Sequence, residues 1–309
     1  MGHVGYARPR SLNEALGLLA ERSGARPVAG GTDLVLLMRD RVARPPLVVD
    51  ISELDELRGV KSGGGGLEIG AACRMGELEK DTRVPAVLRQ ACAQVGTPQV
   101  RNLATIGGNV CNASPAGDTI TPLLALDAVA VIRSAAIRSA AIGSAAFWSA
   151  SGSPAGERLV PLSEFFLGPK KTVLRPGELL VSLRIPAAAL ARGGCFQKIG
   201  RRREVVISQV NVAVTVGLDG GRQDGVVETV RVALGSVAPT PLRLPEVEAM
   251  LTGQRPTPEL LVQAGRAVAA EIRPISDVRT TADYRRRVAG VLCRRALQGA
   301  LEEAGVVGL

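Results

Sequence analysis

The chain of 309 residues is long enough to form two or three domains, each with its own apolar core. Hydrophobic residues make up 46% of the sequence and charged residues 22%, whereas aromatic residues make up only 2%. The net charge of +9 would suit a polyanionic partner, but so few aromatic side chains leave almost no stacking platforms for bases, which argues against a nucleic-acid-binding protein.

Cysteine usage indicates the compartment. The five cysteines are scattered and never form a C-x-x-C pair, and the only histidine is His3. The cysteines are Cys73, Cys92, Cys111, Cys195 and Cys293. This spacing is typical of a reducing compartment and argues against a zinc or iron-sulfur site held by this chain alone. With neither a signal-peptide pattern nor an apolar run of about 18 residues, the sequence predicts a cytoplasmic protein without a membrane span.

The first 56 residues have the pattern of a small α/β unit. Ser11 and Glu14 have the spacing of a capping box, and apolar residues recur at helical spacing until Gly24, which predicts a helix over 11–23. The following segments have the patterns of a strand, a helical turn and a second strand, at 27–29, from 33 onwards and at 47–51.

The next segments alternate between turns, helices and loops. A four-glycine turn at 63–66 precedes an apolar strand, and two helices are predicted at 74–79 and 84–95. Residues 96–118 then have loop character, and a loop of that length inside a domain is usually functional. Thr121 and Pro122 fit the first positions of a helix that ends at Leu126, and a strand follows at 128–133.

A five-residue repeat interrupts this part of the chain. Residues 132–151 read IRSAA IRSAA IGSAA FWSAS. A period of five keeps no single face of a helix or strand apolar, which favours an exposed insertion over a short alanine-rich helix.

The pattern changes near residue 186. A strand predicted at 179–185 ends the α/β part, and three strands joined by glycine-rich turns follow at 195–199, 208–218 and 226–237. The rest of the chain has helical spacing, at 244–251, 258–270 and 281–304. The sequence therefore predicts a second domain made of an antiparallel sheet followed by helices.

Two short loops contain adjacent glycines beside a hydroxyl or amide side chain. They are AGGTDL at 29–34 and TIGGN at 105–109. Backbone amides in such loops can form an anion-binding nest, although ordinary tight turns have the same composition. Neither loop matches the phosphate-binding P-loop or the G-x-G-x-x-G dinucleotide pattern. A carboxylate at Asp33 would repel a phosphate, so we expect Asp33 to cap the following turn or to bind a hydroxyl.

Four ordered segments make the chain recognisable. PVAGGTDLVLLMR, LATIGGNVCNASPAGDTITPLLALDA, VPLSEFFLGPKKTVLRPGELL and SDVRTTADYRRRVAGVLCRRAL together resemble the FAD-binding medium subunit of the molybdenum hydroxylases, the xanthine dehydrogenase and carbon monoxide dehydrogenase family. The resemblance implies an α+β fold with a two-subdomain FAD-binding domain of the vanillyl-alcohol-oxidase type at 1–186, divided at about 56. It also implies a C-terminal domain of three-stranded antiparallel sheet and helices at 187–309. The low-complexity insertion at about 132–157 lies within the first domain and falls outside the resemblance.

The resemblance also implies which residues contact the cofactor. The first glycine loop would hold the FAD diphosphate from one side and the second loop from the other. Asp118 matches a flavin-contacting acid, Leu180 an apolar contact and Lys198 a basic contact, although Asp118 could instead cap a helix, Lys198 could lie in solvent and Leu180 could be core. The predicted cofactor-binding residues are Pro27, Val28, Ala29, Gly30, Gly31, Thr32, Asp33, Leu34, Thr105, Ile106, Gly107, Gly108, Asn109, Asp118, Leu180 and Lys198. A side chain placed at Gly31 or Gly107 is expected to give folded protein depleted of FAD.

The function implied by the resemblance is electron transfer within an oxidoreductase complex. FAD, bound non-covalently, would take electrons from the iron-sulfur centres of a small subunit, and a large subunit would carry the molybdopterin in a heterotrimer or its dimer. No catalytic residue is expected in this chain, and no Ser/His/Asp set is visible in it. The insertion has no cysteine, which argues against an additional iron-sulfur cluster, and Thr32–Asp33 replaces the His-Ser found in many carbon monoxide dehydrogenases.

Two other functions fit parts of the sequence. A self-contained FAD-dependent oxidase of the same fold would oxidise its own substrate, although its usual covalent histidine link to the flavin is hard to provide with His3 alone. A basic module that binds a nucleotide or polyanion without catalysis would be colourless and salt-sensitive in its binding.

Overall fold

The computed structural model describes residues 4–135, 156–202, 205–221 and 225–306. Most of the predicted insertion, residues 136–155, lies outside these ranges. The described strands form three sheets of three, five and four strands and one short two-stranded sheet. Helices cover or connect these sheets, which confirms the predicted α+β class.

The N-terminal unit is a small parallel sheet with two helices. Strand β1 pairs with β3 and β3 with β2, both in parallel. The elements are β1 (Gly5–Ala7), α1 (Leu12–Glu21), β2 (Arg26–Val28), α2 (Leu34–Arg39) and β3 (Leu47–Asp50). The Ser11 hydroxyl accepts a hydrogen bond from the Glu14 amide at 3.2 Å, so the predicted cap of α1 is present. The Glu14 carboxylate accepts from the amide of Arg10 rather than from that of Ser11, so the box is incomplete.

The middle unit is built on a five-stranded antiparallel sheet. Its strand order is β4-β5-β10-β6-β7, and a β-bulge interrupts β10 between Leu180 and Ser182. The strands are β4 (Val60–Gly63), β5 (Gly66–Gly70), β6 (Val129–Ser134), β7 (Glu157–Pro161), β8 (Phe166–Gly168), β9 (Lys171–Thr172) and β10 (Glu178–Pro186). The helices between β5 and β6 are α3 (Met75–Leu78), α4 (Ala86–Ala93), α5 (Pro98–Arg101), α6 (Ile106–Asn112) and α7 (Ile120–Ala125).

The C-terminal unit places helices on a four-stranded antiparallel sheet of order β11-β12-β13-β14. Its elements are α8 (Ala187–Leu190), β11 (Gly193–Ile199), β12 (Val210–Leu218), β13 (Val227–Gly235), β14 (Leu242–Arg243), α9 (Pro245–Leu251), α10 (Pro258–Glu271) and α11 (Ala282–Glu303). Helices α10 and α11 cross where Gly265 and Gly290 let their backbones approach closely. The sequence predicted three strands in this sheet, and the structure has four. The fourth strand, β14, was missed because two residues are too few to show an alternation of apolar and polar residues.

Strand β12 connects the two larger units, because side chains alternate between the faces of a strand. Val210, Val212, Val214 and Val216 belong to the core of the C-terminal helices. The residues between them face the middle unit, where Ala213 joins its core and the Thr215 hydroxyl donates to the carbonyl of Ala125 at 2.8 Å. The middle core therefore continues into the C-terminal sheet.

The segment 96–118 differs from its prediction as a loop. It contains the short helices α5 and α6, each with a threonine N-cap: Thr97 accepts from the Val100 amide and Thr105 from the Gly108 amide. Two glycines in the first turn of α6 hid that helix from propensity-based reasoning. Helix α7 begins at Ile120, after an N-cap at Thr119, rather than at Thr121.

Among the described residues, the structure contains no helix with the length and hydropathy needed to cross a bilayer.

The cysteines provide a test of this packing. All five are free thiols, and burial raises the pKa of Cys111 and of Cys293 to about 12. Thiolates are the reactive form of cysteine. We therefore expect the native chain to react slowly with a thiol reagent at neutral pH, and all five cysteines of the unfolded chain to react rapidly. Rapid labelling of Cys92 or Cys293 in the native protein would contradict this packing.

Candidate functional site

The first glycine loop connects β2 to α2. Pro27 and Val28 end β2, residues 29–33 form the turn, and Leu34 begins α2. Gly31 adopts a φ of 69°, a conformation in which L side chains are strained. A Cβ on Gly30 would overlap the carbonyl oxygen of Leu103. The backbone that approaches Gly30 so closely is thus the chain's own, two residues before the second glycine loop.

The turn leaves its amide groups available. Within the described part of the chain, none of the backbone N–H groups of residues 30–34 donates a hydrogen bond to another residue. Gly30, Gly31 and Thr32 are partly exposed, so a ligand can reach these donors. Unpaired, accessible amides in consecutive residues fit an anionic, oxygen-rich group such as a diphosphate.

The second glycine loop has a different role from the one its composition suggested. Its residues form the N-cap and first turn of α6, and their amides are already bonded within the protein. The acceptors are the carbonyls of Cys73 and Ala71 for the amides of 106 and 107, and the hydroxyl and carbonyl of Thr105 for those of 108 and 109. An anion nest of free amides is therefore absent from residues 106–109, although Gly108 and Asn109 still face solvent.

Gly107 is required for packing. A Cβ at this position would lie 2.6 Å from the Cβ of Ala71, closer than real Cβ atoms approach one another. A Gly107 substitution is therefore expected to cost stability as well as FAD, because α6 would have to move away from β10 and the Ala71 segment.

Side chains tie the two loops together. Asp33 Oδ1 accepts a hydrogen bond from Asn112 Nδ2 at 3.0 Å, and Asn112 Oδ1 accepts from Lys170 Nζ at 2.7 Å. Asp33 occupies the N-cap position of α2 but makes no capping hydrogen bond, so the capping expectation was wrong. Sequence reasoning missed Asn112 and Lys170, both of which lie inside the segments that carried the family resemblance.

A second contact links α6 to Asp118. The Thr119 hydroxyl donates to Asn109 Oδ1 at 2.8 Å. Since Thr119 occupies the N-cap position of α7, the carboxylate of Asp118 is free for other partners. The structure thus brings residues 30–34, 105–109 and 118 into one neighbourhood.

Asp118 and Lys198 form a buried ion pair. Lys198 Nζ lies 2.6 Å from Asp118 Oδ2, and the two side chains are 5% and 10% exposed. Lys198 also donates to the carbonyl of Gln94 at 3.0 Å. Both alternative roles were wrong: the Lys198 side chain does not lie in solvent, and Thr119 rather than Asp118 occupies the N-cap position of α7, without a side-chain capping hydrogen bond.

Two residues from the C-terminal unit complete the environment of Asp118. The Ser208 hydroxyl donates to Asp118 Oδ1 in a short hydrogen bond, and Asn211 Nδ2 donates to the same oxygen at 3.3 Å. Asn211 Oδ1 accepts from the Thr121 hydroxyl at 3.0 Å. No local signal in the sequence marks Ser208 or Asn211, because their partner lies about 90 residues away.

Burial and hydrogen bonding act against each other on this carboxyl. Removal from water raises the pKa of Asp118, and the charge of Lys198 with the donors Ser208 and Asn211 lowers it, leaving the pKa above its ordinary value. The carboxylate therefore depends on its partners to stay charged.

A cavity of about 670 Å³ opens beside Lys198. Arg101 and Arg202 also line it, but Arg101 pairs with Glu79 at 2.8 Å and Lys198 pairs with Asp118, so carboxylates offset two of these three cations. The positive charge that remains suits a ligand that carries negative charge or accumulates it.

The side chain of Leu180 is buried in a core rather than exposed at this site. It is 2% exposed and belongs to the core of the middle unit. The structure gives its side chain a packing role, and contact with a ligand stays a prediction.

Comparison with known proteins identifies the family. Residues 2–151 match the model of the FAD binding domain in molybdopterin dehydrogenase, and residues 195–300 match that of the CO dehydrogenase flavoprotein C-terminal domain. The carbon monoxide dehydrogenase medium chain of Hydrogenophaga pseudoflava is 33% identical over 299 residues, which cover 96% of each chain. The chain belongs to the FAD-binding medium subunits of the molybdenum hydroxylase family. The xanthine dehydrogenase FAD-binding subunit of Escherichia coli O157:H7 is 30% identical, with 97% of each chain covered.

Solved structures agree with this medium-subunit assignment. Reconstituted CO dehydrogenase from Oligotropha carboxidovorans superposes with a TM-score of 0.85 at 30% identity, covering 98% of this chain and 99% of the other. The predicted family, fold class, FAD cofactor and membership of an oxidoreductase complex are thereby confirmed. The colourless polyanion-binding module is excluded as a description of this chain.

Close packing at Gly30 can be tested on stability. We expect Gly30→Ala to destabilise the medium subunit by about 1–3 kcal/mol or more, because the methyl group would overlap the rigid backbone at Leu103. Gly17→Ala in α1 is the matched control: no atom lies within 4 Å of the added methyl group, and alanine should stabilise the helix by about 1 kcal/mol. Urea unfolding of both variants without added cofactor measures the difference, and equal effects would refute the close approach.

The buried pair can be tested through its pH dependence. Lys198→Met leaves the Asp118 carboxylate buried without its cation, at a cost of about 3–5 kcal/mol near neutral pH. The pKa of Asp118 should rise further, so the folded state keeps this proton to higher pH than the unfolded chain, whose ordinary pKa is 3.8. Stability of the variant relative to wild type should therefore fall as pH rises from about 4 to about 7.

Lys61→Met supplies the control, because Lys61 is exposed on β4. Denaturant unfolding at several pH values measures both variants. A loss of stability in Lys198→Met that is independent of pH would show that Asp118 does not depend on this cation.

Proposed function

We propose that this medium subunit transfers electrons from iron-sulfur centres of a partner subunit to an external acceptor through non-covalently bound FAD. The observation that carries the proposal is the row of amides at residues 30–34 that have no partner among the described residues, in a chain whose relatives include FAD-binding subunits. The family membership supplies the cofactor, and the arrangement of donors supplies a site that fits it.

In the proposed site, different residues hold the diphosphate and the flavin of FAD. The amides of residues 30–34 would hold the diphosphate, and the exposed first turn of α6, with Gly108 and Asn109, would flank it. Asp118 and Lys198 would lie toward the flavin, beside the cavity lined by Arg101 and Arg202. When bound, FAD supplies one- and two-electron exchange, which couples iron-sulfur donors to two-electron acceptors.

The chain's own residues orient and protect the cofactor in this proposal. The ion pair of Lys198 keeps a positive charge fixed at the cavity, where it favours the anionic state of a ligand. The contacts of Asp33 and Asn112 hold the two loops against one another, so the free amides keep their positions without a ligand. Preformed donors reduce the ordering cost of binding.

Partners and location follow from the same proposal. A small iron-sulfur subunit would deliver the electrons and a large molybdopterin subunit would oxidise the substrate, in a heterotrimer or its dimer. Relatives named as a medium chain or a subunit support an assembly of several chains. The five free thiols support the predicted cytoplasmic location. The predicted division into domains 1–186 and 187–309 stays a proposal. A substrate other than carbon monoxide, suggested by Thr32–Asp33 in place of His-Ser, also stays a proposal.

The alternative of a self-contained oxidase loses its basis. Relatives that match over almost the whole chain are named as subunits of dehydrogenases, which supports substrate oxidation on a partner chain. Acid precipitation separates the two mechanisms of cofactor attachment: we expect FAD in the supernatant, at about one per chain. Flavin that remains in the pellet, or substrate turnover by the isolated chain, would favour the oxidase.

Flavin affinity tests the first loop directly. Gly31→Ala strains a residue with a φ of 69° and places a methyl group 3.0 Å from Val35 Cγ2, so the turn that carries the free amides must shift and FAD binding should weaken by about tenfold. Gly24→Ala carries the same backbone strain, with a φ of 80°, in the turn before β2 and should keep wild-type affinity. Fluorescence titration of the deflavo complex measures both dissociation constants. Equal affinities in wild type and Gly31→Ala would overturn the assignment of the diphosphate to this loop.

A further inference from the structure

The connection between α10 and α11 forms a tight, charged turn around Asp277. Asp277 Oδ1 accepts from the amides of Arg279 and Thr280 at 2.9 and 3.2 Å, and Asp277 Oδ2 accepts from the Arg279 guanidinium at 2.9 Å. These donors outweigh the effect of burial, which by itself raises the pKa of this carboxyl, and leave the pKa at about 2. The Asp277 carboxylate is therefore a fixed negative charge at neutral pH.

This carboxylate anchors an arginine from the first turn of α11. Arg285 is 4% exposed, and its NH2 donates to Asp277 Oδ1 at 2.9 Å. Its NH1 donates to two carbonyl oxygens, that of Gln209 at 2.7 Å and that of Ser236 at 2.9 Å. A planar guanidinium can hold three acceptors in fixed relative positions, which a lysine cannot do.

The two carbonyls belong to segments that the sheet brings side by side. Gln209 precedes β12 directly, and Ser236 follows β13 directly. Ser236 adopts a φ of 65°, which is uncommon for a residue other than glycine, and its hydroxyl donates to the carbonyl of Ser208 at 2.9 Å. Gln209 Nε2 donates back to the carbonyl of Arg279 at 2.8 Å. Ser208 is thus fixed from both sides.

Ser208 is the residue whose hydroxyl binds Asp118. Hydrogen bonds therefore lead from Asp277 through Arg285 to the carbonyl of Gln209, the backbone joins Gln209 to Ser208, and hydrogen bonds continue from Ser208 to Asp118 and Lys198. NH1 and NH2 of Arg285 have acceptors, whereas its buried Nε has no hydrogen-bond partner among the described residues. The contacts that this buried guanidinium does make would be lost if the chain moved at residue 209 or 236, which favours one position of residues 208 and 209.

We propose that Arg285 is a positioning residue for the cofactor site: anchored by Asp277, it fixes the entrance to β12 so that Ser208 reaches Asp118 and keeps the Asp118–Lys198 pair aligned for FAD. The inference rests on the proposed function, because the site that it serves is the FAD site. The C-terminal unit thereby contributes to a cofactor site whose glycine loops lie in the other two units.

A double-mutant cycle on the deflavo complex tests this coupling. Ser208→Ala and Arg285→Lys should each weaken FAD binding by about fivefold to tenfold, since each removes the short contact on Asp118. The double variant should bind FAD as tightly as the single variant with the lower affinity, because Arg285 acts through Ser208. Arg286→Ala is the matched control. Arg286 is next to Arg285 in the chain, but its guanidinium pairs with Asp283 at the surface, so the substitution should change the FAD affinity by no more than about twofold.

A purely structural role for Arg285 predicts a different result. The two effects would then multiply, and the absorbance spectrum and midpoint potential of the bound flavin would stay those of wild type in Arg285→Lys. We expect instead the same spectral and potential shift in Arg285→Lys and Ser208→Ala. Multiplying effects, or an Arg285→Lys complex with wild-type affinity, would overturn the proposal.

Asp277→Asn tests the same inference if the Arg285→Lys variant does not fold. The substitution preserves the size of the anchor and removes its charge, so Arg285 should lose its fixed position and FAD affinity should fall in the same direction. Wild-type affinity and spectrum in folded Asp277→Asn would refute the inference. A wild-type complex that binds no FAD at all would instead refute the proposed function.

Discussion

The structure depends on one buried carboxylate. Asp118 lies where the middle unit meets the C-terminal sheet, and it can stay charged there only if donors replace the water that it has lost. Lys198 of β11, Ser208 before β12 and Asn211 within β12 supply these donors. The two units must therefore adopt a single relative arrangement, because any displacement would leave a charge in the interior without a partner.

Strand β12 makes this arrangement compatible with two apolar cores. Its valines face the C-terminal helices, and the small or polar residues between them face the middle unit. A strand with period-two alternation can in this way join two cores and still place an amide side chain, Asn211, at the junction. The electron-transfer site proposed for this medium subunit lies at the same junction, where charged groups are held rigidly and a cavity remains open.

The glycines of the two recognisable loops serve two different physical purposes. Gly30 and Gly107 are glycines because protein atoms occupy the space of a side chain. Gly31 is a glycine because the turn requires a positive φ, and that turn leaves five consecutive amides without a partner in the described residues. Only the first loop combines close packing with free donors. This difference between the loops explains why similar composition does not imply the same contact with a ligand.

The sequence by itself determined the family, the α+β class and the FAD cofactor through the resemblance of four motif segments to known proteins. It also determined most of the long elements, because capping residues and apolar periodicity act over a few residues. The caps at Ser11 and Thr281 and the alternation in β12 are of this kind. Helix α6 was missed because glycine has low helix propensity, and the cap at Thr105 together with the bonds of its first amides to Cys73 and Ala71 stabilises a helix there. Tertiary structure alone decided that Asp118 pairs with Lys198, that Asn112 holds Asp33, and that Arg285 bonds the carbonyls of Gln209 and Ser236. These contacts join residues far apart in the chain, and a buried charge selects its partners by position in space, which no local pattern of residues records.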